Sequence, residues 1–88
     1  MDQEDYVLHP DGSKTFIAPQ SGEHYTLEEL QEFVGGYIEI VPYPLGERMG
    51  IANEEGLCYR LEPNAEASEL FGCPLVGPVA VILSKRMQ

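Results

Sequence analysis

The stretch "YTLEELQEFVGGYIEIVP", residues 25–42, carries the clearest structural signals in the chain. Thr26 and Glu29 have capping-box spacing, in which each of the two side chains accepts a backbone N–H that the first helical turn leaves unpaired. Tyr25 precedes the cap and is placed to pack on Leu30 across it, as in a hydrophobic staple. The stretch therefore predicts that a helix begins directly after Thr26.

The predicted helix, residues 27–34, is amphipathic. Its apolar face consists of Leu27, Leu30, Phe33 and Val34, and its acidic face of Glu28, Glu29 and Glu32. Gly35 is expected to end the helix in the left-handed conformation, and Gly36 to ease the turn into the next strand. The two glycines need no ligand to explain them.

The run "YIEIVP" after the glycines predicts a strand that lies centrally in a sheet. Ile38 and Ile40 would share one face, while Tyr37, Glu39 and Val41 would share the other. Two interpretations of Glu39 stay open. It is either a solvent-facing charge beside Tyr37, or a buried acid at a subunit interface, where Arg48 or Arg60 would be its partner.

Strands are also predicted on both sides of this region. Short β-rich runs near residues 5–9 and 13–18 flank His-Pro-Asp-Gly and predict a hairpin. Residues 37–61, with an Asn-Glu-Glu-Gly turn, predict a three-stranded meander. A last strand is expected at 79–83, after a bend at Gly77-Pro78.

A second helix is predicted at residues 65–71, with Asn64 as the N-cap, Gly72 as the stop, and Ala67, Leu70 and Phe71 turned inward. Its exposed side would carry Glu66 and Glu69. We therefore expect an α+β domain with a mostly antiparallel sheet. That sheet combines the N-terminal hairpin, the three-stranded meander and the C-terminal strand, and two short helices pack on it.

Length and charge limit the classes of function. Eighty-eight residues predict a single domain, 1–88, whose core is thin enough that a homo-oligomer is expected. The formal charge of −10 predicts repulsion of duplex nucleic acid. An acidic N-terminus predicts that there is no signal peptide, and the lack of a long apolar run predicts that there is no membrane span. Two cysteines, Cys58 and Cys73, are expected to be reduced thiols of a cytoplasmic protein.

No catalytic or metal-binding pattern stands out. The two histidines, His9 and His24, lie in a turn and a loop, and no serine has the context of a nucleophile. Glu54 and Glu55 are adjacent and would point to opposite faces of a strand, which disfavours a metal site. We predict no enzyme activity, no metal and no cofactor.

The pieces "LEELQEFVGGYIEIVP", "NEEG", "PNAEAS" and "LVGPVAVIL" together resemble a family of small uncharacterised domains encoded by bacteriophages and other mobile elements. In that family a helix ending in Val-Gly-Gly leads to a Tyr-Ile-Glu strand. An Asn-Glu-Glu-Gly turn, an Asn-x-x-Ala helix start and a terminal apolar segment follow. The resemblance covers about residues 25–83, and it implies a phage-type origin rather than a mechanism.

Three hypotheses follow for function. The leading one is a counter-defence protein in the host cytosol that sequesters a nucleotide-derived signalling ligand at a subunit interface. Its candidate ligand-binding residues are Tyr37, Glu39, Arg48, Tyr59 and Arg60. The second is a protein-binding inhibitor or DNA mimic that uses the acidic helix faces, Glu28, Glu29, Glu32, Glu66 and Glu69. The third is an accessory or structural phage module with no defence role.

Overall fold

The computed structural model describes residues 4–41, 46–56 and 60–87. Its strands are β1 (Asp5–Leu8), β2 (Lys14–Ile17), β3 (Ile38–Ile40), β4 (Arg48–Asn53) and β5 (Val79–Leu83). Its helices are α1 (Leu27–Val34), α2 (Ala65–Phe71) and a closing 3₁₀ turn, Ser84–Arg86. The strands form one antiparallel sheet in the order β2-β1-β5-β4-β3. The α+β class with a mostly antiparallel sheet is confirmed.

Helix α1 begins and ends where the sequence predicts. The Thr26 side chain accepts the Glu29 N–H at 3.1 Å, and the Glu29 carboxylate accepts the Thr26 N–H at 2.8 Å, which completes the capping box. Gly35 has φ 81° and closes the helix. One inward assignment is wrong, because Leu27 in the first turn is 56% exposed. The buried residues of α1 are Leu30 and Val34, so the covered part of its apolar face begins at Leu30.

Strand β3 is an outer strand, so its predicted central position is wrong. Among the described strands it pairs with β4 only, with Ile40 opposite Ile51. On its other side, β4 pairs with β5 and not with the third strand of the predicted meander. The segment predicted for that third strand includes residues 57–59, which lie outside the described residues, and 60–61 are not in a strand. The central place falls to β5 because all five of its residues are buried.

The sheet has a core on each face. The first core gathers seven buried residues around α1: Val7, Tyr25, Leu30, Val34, Ile51, Ala80 and Ile82. The second gathers seven around α2: Leu8, Val41, Ala52, Ala67, Phe71, Val79 and Val81. Successive residues of one strand enter different cores because strand side chains alternate between faces. The two helices therefore lie on opposite faces of the sheet.

Helix α2 is held by its N-cap. The buried Asn64 accepts the Ala67 N–H and donates from its amide nitrogen to the carbonyls of Leu8 and Gly77, both at 2.8 Å. It thereby ties α2 to the last residue of β1 and to the bend before β5. Gly77 makes that bend with φ 70°. The prediction that Leu70 turns inward is wrong, because it lies at the rim of the core, 36% exposed.

The N-terminal hairpin is confirmed. Gly12 donates to the His9 carbonyl and His9 donates to the Ser13 carbonyl, both at 2.9 Å, across the turn that joins β1 to β2. The Asp11 carboxylate accepts the Ser13 N–H and hydroxyl, which fixes the turn. Among the described residues, no helix is long and apolar enough to cross a membrane.

Candidate functional site

A buried ionic network lies at one end of the sheet, where β1 begins and β5 ends. Asp5 is fully buried. Its carboxylate accepts the Tyr25 hydroxyl at 2.7 Å, the Arg86 guanidinium at 2.7 Å and the Leu83 N–H at 3.0 Å. Arg48 approaches it at 3.9 Å and donates to the Glu4 carbonyl at 2.7 Å. Both carboxylate oxygens of Asp5 thus accept hydrogen bonds.

The network fastens the C-terminal segment to the rest of the fold. Besides its bond to Asp5, Tyr25 donates its N–H to the Arg86 carbonyl at 2.9 Å. Burial raises the pKa of the Tyr25 phenol, and the Asp5 carboxylate raises that pKa further. The hydrogen bond to Asp5 likewise raises the pKa of Arg86. Asp5 and Tyr25 are fully buried and Arg86 is mostly buried, which suits a structural lock and leaves Asp5 no open side for a substrate.

A cleft lies at the opposite end of the sheet. It encloses about 500 Å³ and is lined by His9, Pro10, Asp11, Ser13, Leu61, Glu62, Gly77 and Pro78. The turn between β1 and β2 supplies one wall, and the chain before α2 and the bend before β5 supply the other. Leu61, Pro10 and Pro78 give it an apolar floor. The carboxylates of Asp11 and Glu62, both exposed, stand at its rim.

A second cleft continues the first. It encloses about 510 Å³ and is lined by Glu32, Phe33, Val34, Gly35, Asn53, Leu61 and Pro78. Leu61 and Pro78 line both clefts, so the two form one surface, which we call the strand-end trough. Asp11 and Glu62 flank it at one end, and Glu32 flanks it at the other. Among the described residues that line the trough, none is lysine or arginine.

Among the described members of the predicted ligand-binding set, Arg48 lies far from Tyr37. Tyr37 lies beside the far end of β4, where its carbonyl accepts the Glu54 N–H at 2.9 Å. Arg48 begins β4, so roughly 20 Å of strand separates it from that end. Glu39 is exposed on β3, opposite Ala52. Within one chain it is therefore a solvent-facing charge.

The last two predicted residues lie near the trough or outside the described ranges. Arg60 is exposed and precedes Leu61 of the trough, so the structure brings it to the same end of the sheet as Tyr37. It is also the only described non-glycine residue with a left-handed backbone, φ 54°. Tyr59 lies outside the described residues. The prediction that a partner subunit completes this set stays a prediction.

The acidic helix faces are divided between the two sides of the sheet. Glu28 and Glu32 project from α1 on one side, and Glu66 and Glu69 project from α2 on the other. Glu29 folds back to accept the N–H groups of Thr26 and Gln20, and these bonds lower its pKa. The helix acids therefore do not form one continuous surface.

Sequence reasoning missed the Asp5 network. Asp5 and Arg86 are 81 positions apart, and no local pattern relates them. One signal was present, since an acid, Asp5, stands at the start of the first predicted strand. The trough was missed for a similar reason, because its lining comes from five segments that meet only when the sheet is ordered.

Among the described residues, no group of three or more His, Cys, Asp or Glu side chains is placed to hold a metal ion. The sequence model of a protein family described as "Domain of unknown function (DUF3846)" matches residues 6–86. No curated protein and no solved structure gives a significant match.

Proposed function

The chain belongs to the DUF3846 family of domains of unknown function, and we propose that it is a non-enzymatic protein that binds a basic protein partner through the strand-end trough. The observation that carries the proposal is the trough's lining. An apolar floor lies between carboxylates, and the described lining contains no lysine or arginine. This is the acidic protein-binding hypothesis of the sequence, moved from the helix faces to the end of the sheet.

The distribution of charge supports a basic partner. The chain has fifteen acids and five lysines and arginines. Arg48 and Arg86 are both directed at Asp5, the one acid that is buried among the described residues. Those three groups carry a net charge of +1, so the rest of the chain carries −11. The surface is thus more acidic than the composition suggests, and such a surface accelerates encounter with a positively charged partner.

The shape of the trough suits a particular side chain. Lysine and arginine place long aliphatic stems on apolar surface and keep their charged heads near water and carboxylates. Leu61 and Pro78 offer that apolar surface, and Asp11 or Glu62 would accept the charged head. The resemblance to phage-encoded domains makes a host cytosolic protein the expected source of the basic segment, and inhibition of that protein the expected effect.

The test uses a defined probe. A fluorescein-labelled peptide of alternating lysine and leucine is titrated with the protein, and anisotropy is measured at low and at physiological salt. A peptide of alternating glutamate and leucine is the charge-reversed control. We expect the basic peptide to bind and the acidic control peptide not to bind. The affinity for the basic peptide should fall as salt screens the carboxylates.

Matched variants locate the contact. Asp11→Asn with Glu62→Gln removes two charges at the trough, while Glu28→Gln with Glu69→Gln removes two exposed charges that do not line it. The trough pair should weaken binding by about five- to tenfold, since each exposed ion pair contributes up to about 1 kcal/mol. Equal weakening by both pairs, or no binding of the basic peptide, would overturn the proposal.

A second candidate is the sequestration of a nucleotide-derived ligand. The observation that favours it is Tyr37, a residue that is 65% exposed at the same end of the sheet as Arg60 and beside the Gly35-Gly36 turn. An exposed ring can stack on a base, and an arginine can bind its phosphate. Calorimetric titration with cyclic and linear nucleotides tests it, and Tyr37→Ala should abolish any heat. If neither peptides nor nucleotides bind, an accessory phage module is the hypothesis left.

A further inference from the structure

Two strands of the described sheet have an open edge. β2 and β3 each pair with one neighbour only, β1 and β4 respectively. The outward N–H and C=O groups of such a strand can pair with another strand. Along two antiparallel strands, hydrogen-bonded and non-hydrogen-bonded residue pairs alternate. This alternation identifies the residues whose backbone groups point outward from an edge strand.

On β2, the outward groups belong to Lys14 and Phe16. His9 donates to the Ser13 carbonyl at 2.9 Å, so His9 and Ser13 are a hydrogen-bonded pair of the hairpin. The next pair, Leu8 with Lys14, is then of the non-bonded kind, and the alternation makes Tyr6 with Phe16 non-bonded as well. The backbone N–H and C=O groups of Lys14 and Phe16 consequently point away from β1.

We propose that two copies of this chain associate through β2, antiparallel and about a two-fold axis centred on Thr15. Lys14 of one copy and Phe16 of the other exchange two backbone hydrogen bonds, and symmetry repeats the exchange. All four outward residue positions of the two strands are then paired. The result is a continuous ten-stranded sheet, and the partner is a second copy of this chain.

The distribution of charge favours a second copy of the chain as the partner and β2 as the edge that it pairs with. Two chains of charge −10 repel, so they can approach only where acids are scarce. β2 has no acid, and its one charge is Lys14. A basic partner would instead be drawn to the acidic surfaces. In the proposed register Thr15 meets Thr15 of the other copy, a favourable cross-strand pair.

The same reasoning disfavours β3. Val41 donates to the Gly50 carbonyl and Glu54 to the Tyr37 carbonyl, so the outward groups on β3 belong to Ile38 and Ile40. A symmetric pairing that satisfies both would place Glu39 directly against Glu39 of the other copy, with their Cα atoms about 4.5 Å apart. Like charges at that distance are destabilising.

The side chains on β2 are suited to contact. Phe16 is 63% exposed, and its ring meets the edge of Tyr6 at 6.3 Å between centroids. The Lys14 ammonium lies 4.7 Å from the centre of the Tyr6 ring. In the dimer, Lys14 lies opposite Phe16 of the other copy on the same face of the sheet. A second cation–aromatic contact therefore accompanies the backbone bonds.

The first test is sedimentation velocity over a range of protein concentrations, with matched variants on the two edges. Phe16→Lys and Ile40→Lys each place a cation at an exposed apolar position of an outer strand. In the dimer only Phe16→Lys sets that cation directly against Lys14 of the other copy, and like charges in that position repel. We expect the unaltered chain to dimerise, Phe16→Lys to raise the dissociation constant by about tenfold or more, and Ile40→Lys to leave it unchanged. A monomer at every concentration, or the opposite order of the two variants, would overturn the proposal.

The second test determines the register in which the two β2 strands pair. In a background with Cys58→Ser and Cys73→Ser, Thr15→Cys should form a disulfide-linked dimer on mild oxidation, because a non-bonded antiparallel pair brings the two Cβ atoms within bridging distance. Glu47→Cys in the same background, exposed and outside the strands, is the control and should stay unlinked. Linkage at Glu47→Cys as readily as at Thr15→Cys, or no linkage at Thr15→Cys, would overturn the proposal.

Discussion

The hydroxyl of Tyr25 donates a 2.7 Å hydrogen bond to the carboxylate of Asp5, and both side chains are fully buried. The pair joins the residue before the N-cap of α1 to the first residue of β1. Arg86 completes the contact from the C-terminal turn, so three distant parts of the chain meet at one charge. The stability of the fold should therefore depend strongly on these groups.

Asp5→Asn should lower the free energy of unfolding by about 2–4 kcal/mol, because it removes the anion that compensates Arg86 and accepts three donors. Urea denaturation at neutral pH measures the change. Asp11→Asn, an exposed site whose oxygen can still accept from Ser13, should change it by less than about 0.5 kcal/mol. Equal small effects at both positions would mean that the network contributes no net stability.

Tyr25→Phe should reduce the dependence of stability on alkaline pH. The pKa of Tyr25 is raised in the folded state, while the unfolded chain ionises near the ordinary tyrosine value of about 10. Above that pH the unfolded state binds fewer protons, so the free energy of unfolding falls with rising pH by up to about 1.4 kcal/mol per unit. Below it, the contribution is fully present.

The measurement is a series of urea titrations between about pH 9 and about pH 11. Tyr25→Phe should also cost about 1–2 kcal/mol at neutral pH, because Asp5 loses one donor. The difference between the two proteins should then shrink as pH rises. A constant difference across the series would contradict the assigned direction of the Tyr25 shift.

Gly50→Ala should lower stability by about 1–3 kcal/mol through overpacking. A Cβ at this buried position of β4 would lie 2.8 Å from the Phe71 ring and 2.9 Å from a Val41 methyl. For a domain of this size each kcal/mol lowers Tm by roughly 4–8 °C, which thermal unfolding detects. Adding Phe71→Leu should recover part of the loss, and if the double variant were no better, the contact would not be its cause.

Glu39→Thr should convert the chain into longer assemblies. The substitution removes the acid that disfavours symmetric pairing of β3 and puts a strand-forming residue in its place. With both outer strands able to pair, sheets would extend from copy to copy, and light scattering should rise with concentration. Glu47→Thr, exposed and outside the strands, removes the same charge and should leave scattering unchanged.

Elements that depend on near neighbours could be predicted from the sequence. The limits of α1 and α2 follow from Thr26, Gly35, Asn64 and Gly72, each of which satisfies or ends a helix within a few residues. The hairpin and the limits of β5 follow in the same way from turn residues and apolar runs. Leu27 and Leu70 were misassigned because helical spacing gives a face, but not how far the core beneath it extends.

The candidate site could not be predicted, because it depends on contacts between distant segments. The placement of β5 between β1 and β4 puts β3 at the edge, which makes Glu39 an exposed charge and not a central one. The same strand order brings Asp5 to Arg86 and carries Leu61 to Pro78 in the trough.

The sequence by itself determined the local structure: where the helices begin and end, which residues turn the chain, and that acids dominate the surface. Capping, alternation and net charge act over a few residues or over the whole composition, so they can be read without knowing the fold. Only the tertiary structure decided which strand is central and that Arg48 and Arg86 face Asp5. It also decided that the described lining of the trough has carboxylates and no lysine or arginine. Those outcomes depend on burial, and burial is set by the packing of segments that are far apart in the chain.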